Sequence, residues 1–222
     1  MMTQKTICNL LLILVTVFGL RAQDFQLYSC ATNPPDFSKL SYHEAEEAGF
    51  SEADQIAIGA KKICPEYITN LVNELQNGRL DDNRKALAIH LMGSLCPTDT
   101  NSIEVLIKYI DLKDTNLVSK TRTALWGAYP AEEALVCIGK PSVNPILQHL
   151  PNETYELRRH LMCEALVLIE GKNDAMFNES DGKAKVHGQI TNLLAAESDS
   201  SKKANLELAL KGVETLTTKS GW

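Results

Sequence analysis

Ala131-Glu132-Glu133-Ala134-Leu135-Val136-Cys137-Ile138-Gly139 and, after KPSVNPILQHLPNETYELRRHLM, Cys163-Glu164-Ala165-Leu166-Val167-Leu168-Ile169-Glu170-Gly171 are two versions of one phrase. Each is an Ala/Leu-rich helix end closed by Gly, and Pro141 follows the first. A helix stop and a rigid restart, repeated in this way, mark stacked helical hairpins, which build binding surfaces more readily than a single reaction centre.

Working outward, the chain from Cys64 divides into helix pairs. Pro65 to Leu75 and Asp82 to Leu95 flank the Asn77-Gly78 stop, and Ser102 to Ile110 and Leu117 to Ala128 flank residues 111–116. Pro130 breaks the chain and a further helix runs to Gly139. Pro141 to Leu150 pairs with Tyr155 to Glu170, and Lys185 to Ala196 with Ser201 to Leu216. Leu75, Ile110, Leu150 and Leu194 recur as anchors at spacings of 35, 40 and 44 residues, lengthened by the helix after Pro130 and the loop Lys172 to Lys183. In Tyr155 to Glu170, Leu157, Leu161, Met162, Ala165, Leu168 and Ile169 form an apolar stripe, with Arg159, His160 and Glu164 outside it. One hairpin cannot cover that stripe, so a stacked neighbour must, at about 25 cal/mol per Å² of apolar surface removed from water.

These residues resemble HEAT-like repeats. The helix ending in Ile138-Gly139, the Pro-led helix with Pro141, Val143, Ile146 and Leu150, and Leu157-Arg158-Arg159 near the start of its partner follow that pattern. The likeness is best over Ala131 to Gly171 and extends to Pro65 to Leu95, while the uneven period and the break at Pro130 depart from it. It implies an all-α, right-handed solenoid of antiparallel hairpins in residues 63–222. It further implies that the second helices line a concave surface that binds a protein or peptide, with no catalytic residue.

The other end of the chain reads as an address. Lys5 precedes the apolar run Ile7 to Leu20, and Leu20-Arg21-Ala22 is a small-residue cleavage end, so residues 1–22 are expected to be a signal peptide cut after Ala22. Residues 23–40, containing Asn33-Pro34-Pro35, form an extended lead-in. Residues 41–62 form a helical cap opened by Ser41-Tyr42-His43-Glu44, stopped at Gly49 and reopened at Ser51. The expected product is secreted or periplasmic and does not insert in a membrane once the signal is removed. With 28 acidic against 22 basic residues and a formal charge of −6, the chain lacks the basic stripe that nucleic acid requires.

Candidates for chemistry are sparse, and no cofactor is expected. His43-Glu44 lacks the second His that a zincin helix needs. His160 and Glu164 stand one turn apart, either a solvated pair or the acid/base pair of a small hydrolase or lyase. The loop 172–183 gathers Asn173, Asp174, Asn178, Glu179 and Asp181, hard oxygen donors that suit a metal. Read as an EF-hand with Gly182 at its sixth position, however, the loop places Phe177 and Gly188 at ligand positions, so that register fails. Asn152-Glu153-Thr154 and Asn178-Glu179-Ser180 fit the N-glycan acceptor pattern, which matters only if the secretory system is eukaryotic. The mixed-charge binding face is expected to use Arg84, Lys85, Lys120, Arg122, Arg159, His160 and Glu164, with Trp126 either an anchor there or a core residue.

Export would expose the thiols to an oxidising compartment. Cys8 leaves with the signal, and Cys30, Cys64, Cys96, Cys137 and Cys163 remain. Cys64 and Cys96 lie symmetrically about the turn at Gly78 to Asp81, which predicts a Cys64–Cys96 disulfide worth roughly 3.5 kcal/mol in the loop-entropy model. Cys137 and Cys163 flank Pro151-Asn152 less evenly and form a second candidate pair, leaving Cys30 odd.

Overall fold

The computed structural model describes residues 66–114, 128–172 and 177–216. The expected signal, lead-in and cap, the helix expected from Leu117, and Lys120, Arg122, Trp126, Asn173, Asp174, Cys30 and Cys64 therefore lie outside the described residues. Within them the architecture is all-α. Eight helices occur: α1 (Tyr67–Gln76), α2 (Asp82–Leu95), α3 (Thr100–Lys108), α4 (Pro130–Ile138), α5 (Val143–His149), α6 (Glu156–Gly171), α7 (Glu179–Ala196) and α8 (Ser200–Thr215). Single 3-10 turns precede and follow α5, and the only β pairing among the described residues is the isolated bridge Lys172 to Phe177.

Short polar side chains set where several helices start. Asp81 Oδ1 accepts the Arg84 amide at 2.9 Å, Asp99 accepts the Ser102 amide at 2.9 Å, and Asp199 Oδ1 accepts the Ser201 and Lys202 amides at 2.8 and 3.0 Å. Each satisfies donors that a helix N-terminus otherwise leaves orphaned. The same chemistry corrects the reading of the loop 172–183. Asn178 caps α7 by accepting the Asp181 amide at 3.2 Å, and residues 179–183 are helical, with Glu179 and Asp181 complementing the positive end of the helix dipole. The helix begins six residues earlier than the expected Lys185 because its first turn is acidic rather than apolar.

Stops follow the expected chemistry. Gly139 closes α4 at φ +78°, a conformation open to Gly and costly to other residues, and Pro130 occupies the first turn of α4, where its missing amide hydrogen is no loss. Cys96 ends α2 in the left-handed region at φ 44°, its amide bonded back to Met92 and Gly93 carbonyls.

Packing arranges the helices in two sets. α1 lies against α3 and α3 against α5, while α2 lies against α4 and α4 against α6; α1 also packs on α2, and α3 on α4. The repeated phrases of the sequence therefore occupy neighbouring helices, α4 and α6. The last pair attaches differently. α7 covers α6 most extensively, and α8 packs on α7, on α6 and on the 3-10 turn after α5.

One core runs through both sets. Leu75, Ile110 and Leu150, three of the four periodic anchors, are fully buried, and Leu194 packs against the core from its edge. α6 lies at the centre. Besides the predicted stripe, Cys163, Leu166, Val167 and Glu170 are buried, because α4, α5, α7 and α8 cover this helix from several sides. Small residues permit two close crossings: a Cβ on Gly93 would stand 3.1 Å from the Ala134 Cβ, and one on Gly182 would stand 2.4 Å from the Val167 carbonyl oxygen.

Candidate functional site

Arg84 and Lys85 sit in the first turns of α2 and are both partly exposed. The Lys85 ammonium donates to Asp82 Oδ1 at 2.8 Å and stands 5.9 Å from the centroid of Tyr109. The bond to Asp82 outweighs burial and holds its pKa above the usual lysine value. Lys108 approaches the same ring at 5.2 Å, and the Tyr109 hydroxyl donates to the Leu75 carbonyl at 2.7 Å. This end of α3 therefore presents two cations on an aromatic ring that is itself fixed to α1.

The residues expected on the binding side of α6 separate. His160 is exposed, with its Nε2 3.6 Å from Glu164 Oε2, one turn away. Glu156, His160 and partly exposed Glu164 form the outward stripe of this otherwise covered helix. Arg159 does not belong to it. It is buried, and its guanidinium donates to the Glu153 carbonyl at 3.2 Å. The expectation that Arg159 lies free on the binding face is corrected: the packing of α8 and the 150–153 turn extends the covered arc of α6 one position beyond the apolar stripe.

Its neighbour Arg158, to which the sequence reading assigned no separate role, forms the joint between hairpins. Its Nε donates to Glu153 at 2.8 Å, its Nη1 to Asp111 at 2.6 Å and to the Lys108 carbonyl at 3.0 Å, and its Nη2 to the Ile107 carbonyl at 3.0 Å. A planar fork with five donors fits this set of carboxylates and helix-end carbonyls as an ammonium would not. Two Arg in sequence were legible. Which one faced the preceding hairpin depended on the helix's rotation, and that is set by tertiary packing.

Glu170 is a second residue without a prior signal, since it ends a repeated phrase and looks like ordinary helix surface. It is buried on α6 between α7 and the 3-10 turn that precedes α5. Lys140 Nζ donates to its carboxylate at 2.5 Å, Gln189 Nε2 at 3.2 Å, and Lys185 Nζ donates to its backbone carbonyl at 3.0 Å. Burial alone would raise its pKa, but the Lys140 and Gln189 bonds outweigh burial and hold it below the usual glutamate value.

No disulfide occurs among the described residues. Cys96 is an exposed free thiol whose Sγ donates to the Gly93 carbonyl at 3.1 Å, and Cys64 lies outside the described residues. Cys137 is exposed on α4, whereas Cys163 is buried with its Sγ 3.8 Å from the Ala209 carbonyl of α8, so the Cys137–Cys163 pairing is corrected: rotation of α6 turns its thiol toward α8. Burial pushes the Cys163 thiol up to about 12.

Among the described residues no group of three or more His, Cys, Asp and Glu side chains is placed to hold a metal ion, and no helix is long and apolar enough to cross a membrane. In the former 172–183 loop, Asp181 is engaged by Asn178, whose Nδ2 donates to it at 2.9 Å. No family model, curated protein or solved structure matches the chain. The His160 and Glu164 pair offers an imidazole and a carboxylate to solvent, chemistry suited to exchanging hydrogen bonds with a docked surface.

Proposed function

We propose that this chain is an exported, non-catalytic interaction module of HEAT-like type, a right-handed solenoid of antiparallel helical hairpins that binds a protein or peptide partner. The successive packing of α2, α4 and α6, with the two repeated phrases on adjacent helices, carries this reading. Serial units of this kind each bury an apolar face on the next, and α4, buried at every position but Cys137, is the joint between α2 and α6. The outward stripe Glu156, His160 and Glu164 on α6 is the favoured contact. The acidic balance of the chain favours a basic or mixed-charge partner.

The test is affinity capture with the full chain from its own secretory compartment, in parallel with a His160→Ala, Glu164→Ala double variant. The expected result is one stoichiometric protein retained by the wild type and lost by the variant at unchanged melting temperature. Equal capture by both would contradict the assignment of the face.

A further inference from the structure

Two segments of the chain have the Asn-X-Ser/Thr pattern, and their folded environments differ. Asn152 ends the 3-10 turn Leu150–Asn152 and is exposed, as is Thr154. The rest of this turn is pinned from within. Leu150 is fully buried and its carbonyl accepts the Glu153 amide at 3.2 Å. Glu153 accepts the Tyr155 amide at 2.9 Å and Arg158 Nε at 2.8 Å, and the Pro151 carbonyl accepts Asn205 Nδ2 at 2.9 Å. The Asn152 amide makes no side-chain hydrogen bond to the described residues. A substituent on its Nδ2 therefore disturbs nothing that holds the turn.

Asn178 is the opposite case. Its Oδ1 accepts the Asp181 amide at 3.2 Å and its Nδ2 donates to Asp181 Oδ2 at 2.9 Å, so both ends of the side-chain amide serve the start of α7. Its backbone closes the α6–α7 crossing: its amide donates to the Gly171 carbonyl at 2.9 Å and its carbonyl accepts the Gly182 amide at 3.0 Å. A Cβ on Gly171 would stand only 2.6 Å from the Asn178 carbonyl oxygen, so the backbone at Asn178 lies directly against the end of α6. A sugar ring on Nδ2 would sit against the Asp181 carboxylate and displace the cap.

We propose that Asn152, and not Asn178, is an N-glycan acceptor of this chain. In that transfer Nδ2 of Asn152 attacks the anomeric carbon of a lipid-pyrophosphate-linked oligosaccharide. The new N–C bond replaces the C–O bond to the pyrophosphate, the lipid pyrophosphate leaves, and Nδ2 gives up one proton. The donor is found in the lumen of a secretory pathway, so the proposal rests on the export reading and adds a covalent site to it. Tyr155, three positions on and 56% exposed, is one of two large hydrophobic side chains left open among the described residues, and its ring offers a face that the first sugars can cover.

The experiment expresses the full chain, with its own N-terminal segment, in a eukaryotic secretory host, and assays medium and cell lysate together. An amidase that removes N-glycans and leaves Asp in place of the modified Asn is followed by peptide mapping. The expected result is one glycan, with conversion at residue 152, lost in Asn152→Gln and in Thr154→Ala and retained in Asn178→Gln. The Thr154 variant leaves Asn152 itself intact, so loss of the glycan there cannot be ascribed to a misfolded turn. Chain found in the medium without a glycan would overturn the proposal and leave export standing. Chain retained in the cell without a glycan would overturn both. A glycan lost in Asn178→Gln, or two glycans, would also overturn the assignment.

Discussion

The Arg158 guanidinium of α6 donates to the Asp111 carboxylate across 2.6 Å, joining two residues 47 positions apart in the chain. The same side chain caps the last carbonyls of α3, so one planar group ties the end of α3 to the start of α6.

Replacing Arg158 by Lys keeps the charge and removes the fork. The expected cost is about 1–2 kcal/mol, measured as a fall in the urea midpoint, since one ammonium cannot serve two carboxylates and two carbonyls arranged for five donors. An unchanged midpoint would show that charge alone sustains the joint.

Two glycines of α7 predict opposite signs. A Cβ on Gly182 meets the Val167 carbonyl oxygen at 2.4 Å and the Gly171 amide nitrogen at 2.9 Å, so Gly182→Ala should force α6 and α7 apart and destabilise by about 3 kcal/mol. Gly188 has nothing within 4 Å of its added carbon, and Gly188→Ala should stabilise by about 0.5–1 kcal/mol through helix propensity. Thermal melts of the pair decide this. Equal effects would mean that the crossing is looser than described.

Glu170 couples the fold to acid. Its folded pKa lies below its unfolded value of about 4.3, so its contribution is fully present above that value and is lost as pH falls through the folded one. At neutral pH, Glu170→Gln should cost about 2 kcal/mol through the lost bond to Lys140. Melts over a pH series should show the gap between wild type and variant closing below the ordinary glutamate range. A gap independent of pH would contradict the assignment.

The thiols should separate by environment. In native protein at pH 8, Cys96 and Cys137, both exposed, are expected to be alkylated without reductant. Cys163, buried and pushed up to about 12, is expected to react only after unfolding. Peptide mapping before and after denaturant reads this directly, and protection of Cys96 relieved by reductant would restore the disulfide expected from the sequence.

Much of this fold was legible because its signals are local. The bounds Asp82 to Leu95, the stop at Gly139, the start at Pro130 and the buried anchors Leu75, Ile110 and Leu150 follow from capping, proline geometry and periodicity, all of which act within a few residues. The start of α7 was hidden because Asn178, Glu179 and Asp181 are equally suited to capping a helix and to lining a polar loop. The rotation of α6 was less legible still. Whether Arg158 or Arg159 turns inward, and whether the Cys163 thiol faces α4 or α8, depends on neighbours as many as 51 residues distant, and α6 is apolar around so much of its circumference that its own pattern does not choose. Of the three α6 residues expected to lie together, His160 is exposed, Glu164 is half-buried and Arg159 is enclosed.

The most direct test of the central claim is site-specific photo-crosslinking in the secretory compartment, with the reactive group placed at His160 on the outward stripe of α6 or at Glu207 on exposed α8. One discrete protein adduct is expected from position 160 and none from position 207. An adduct from position 207 alone, or none from either position, would contradict a binding role for the α6 face.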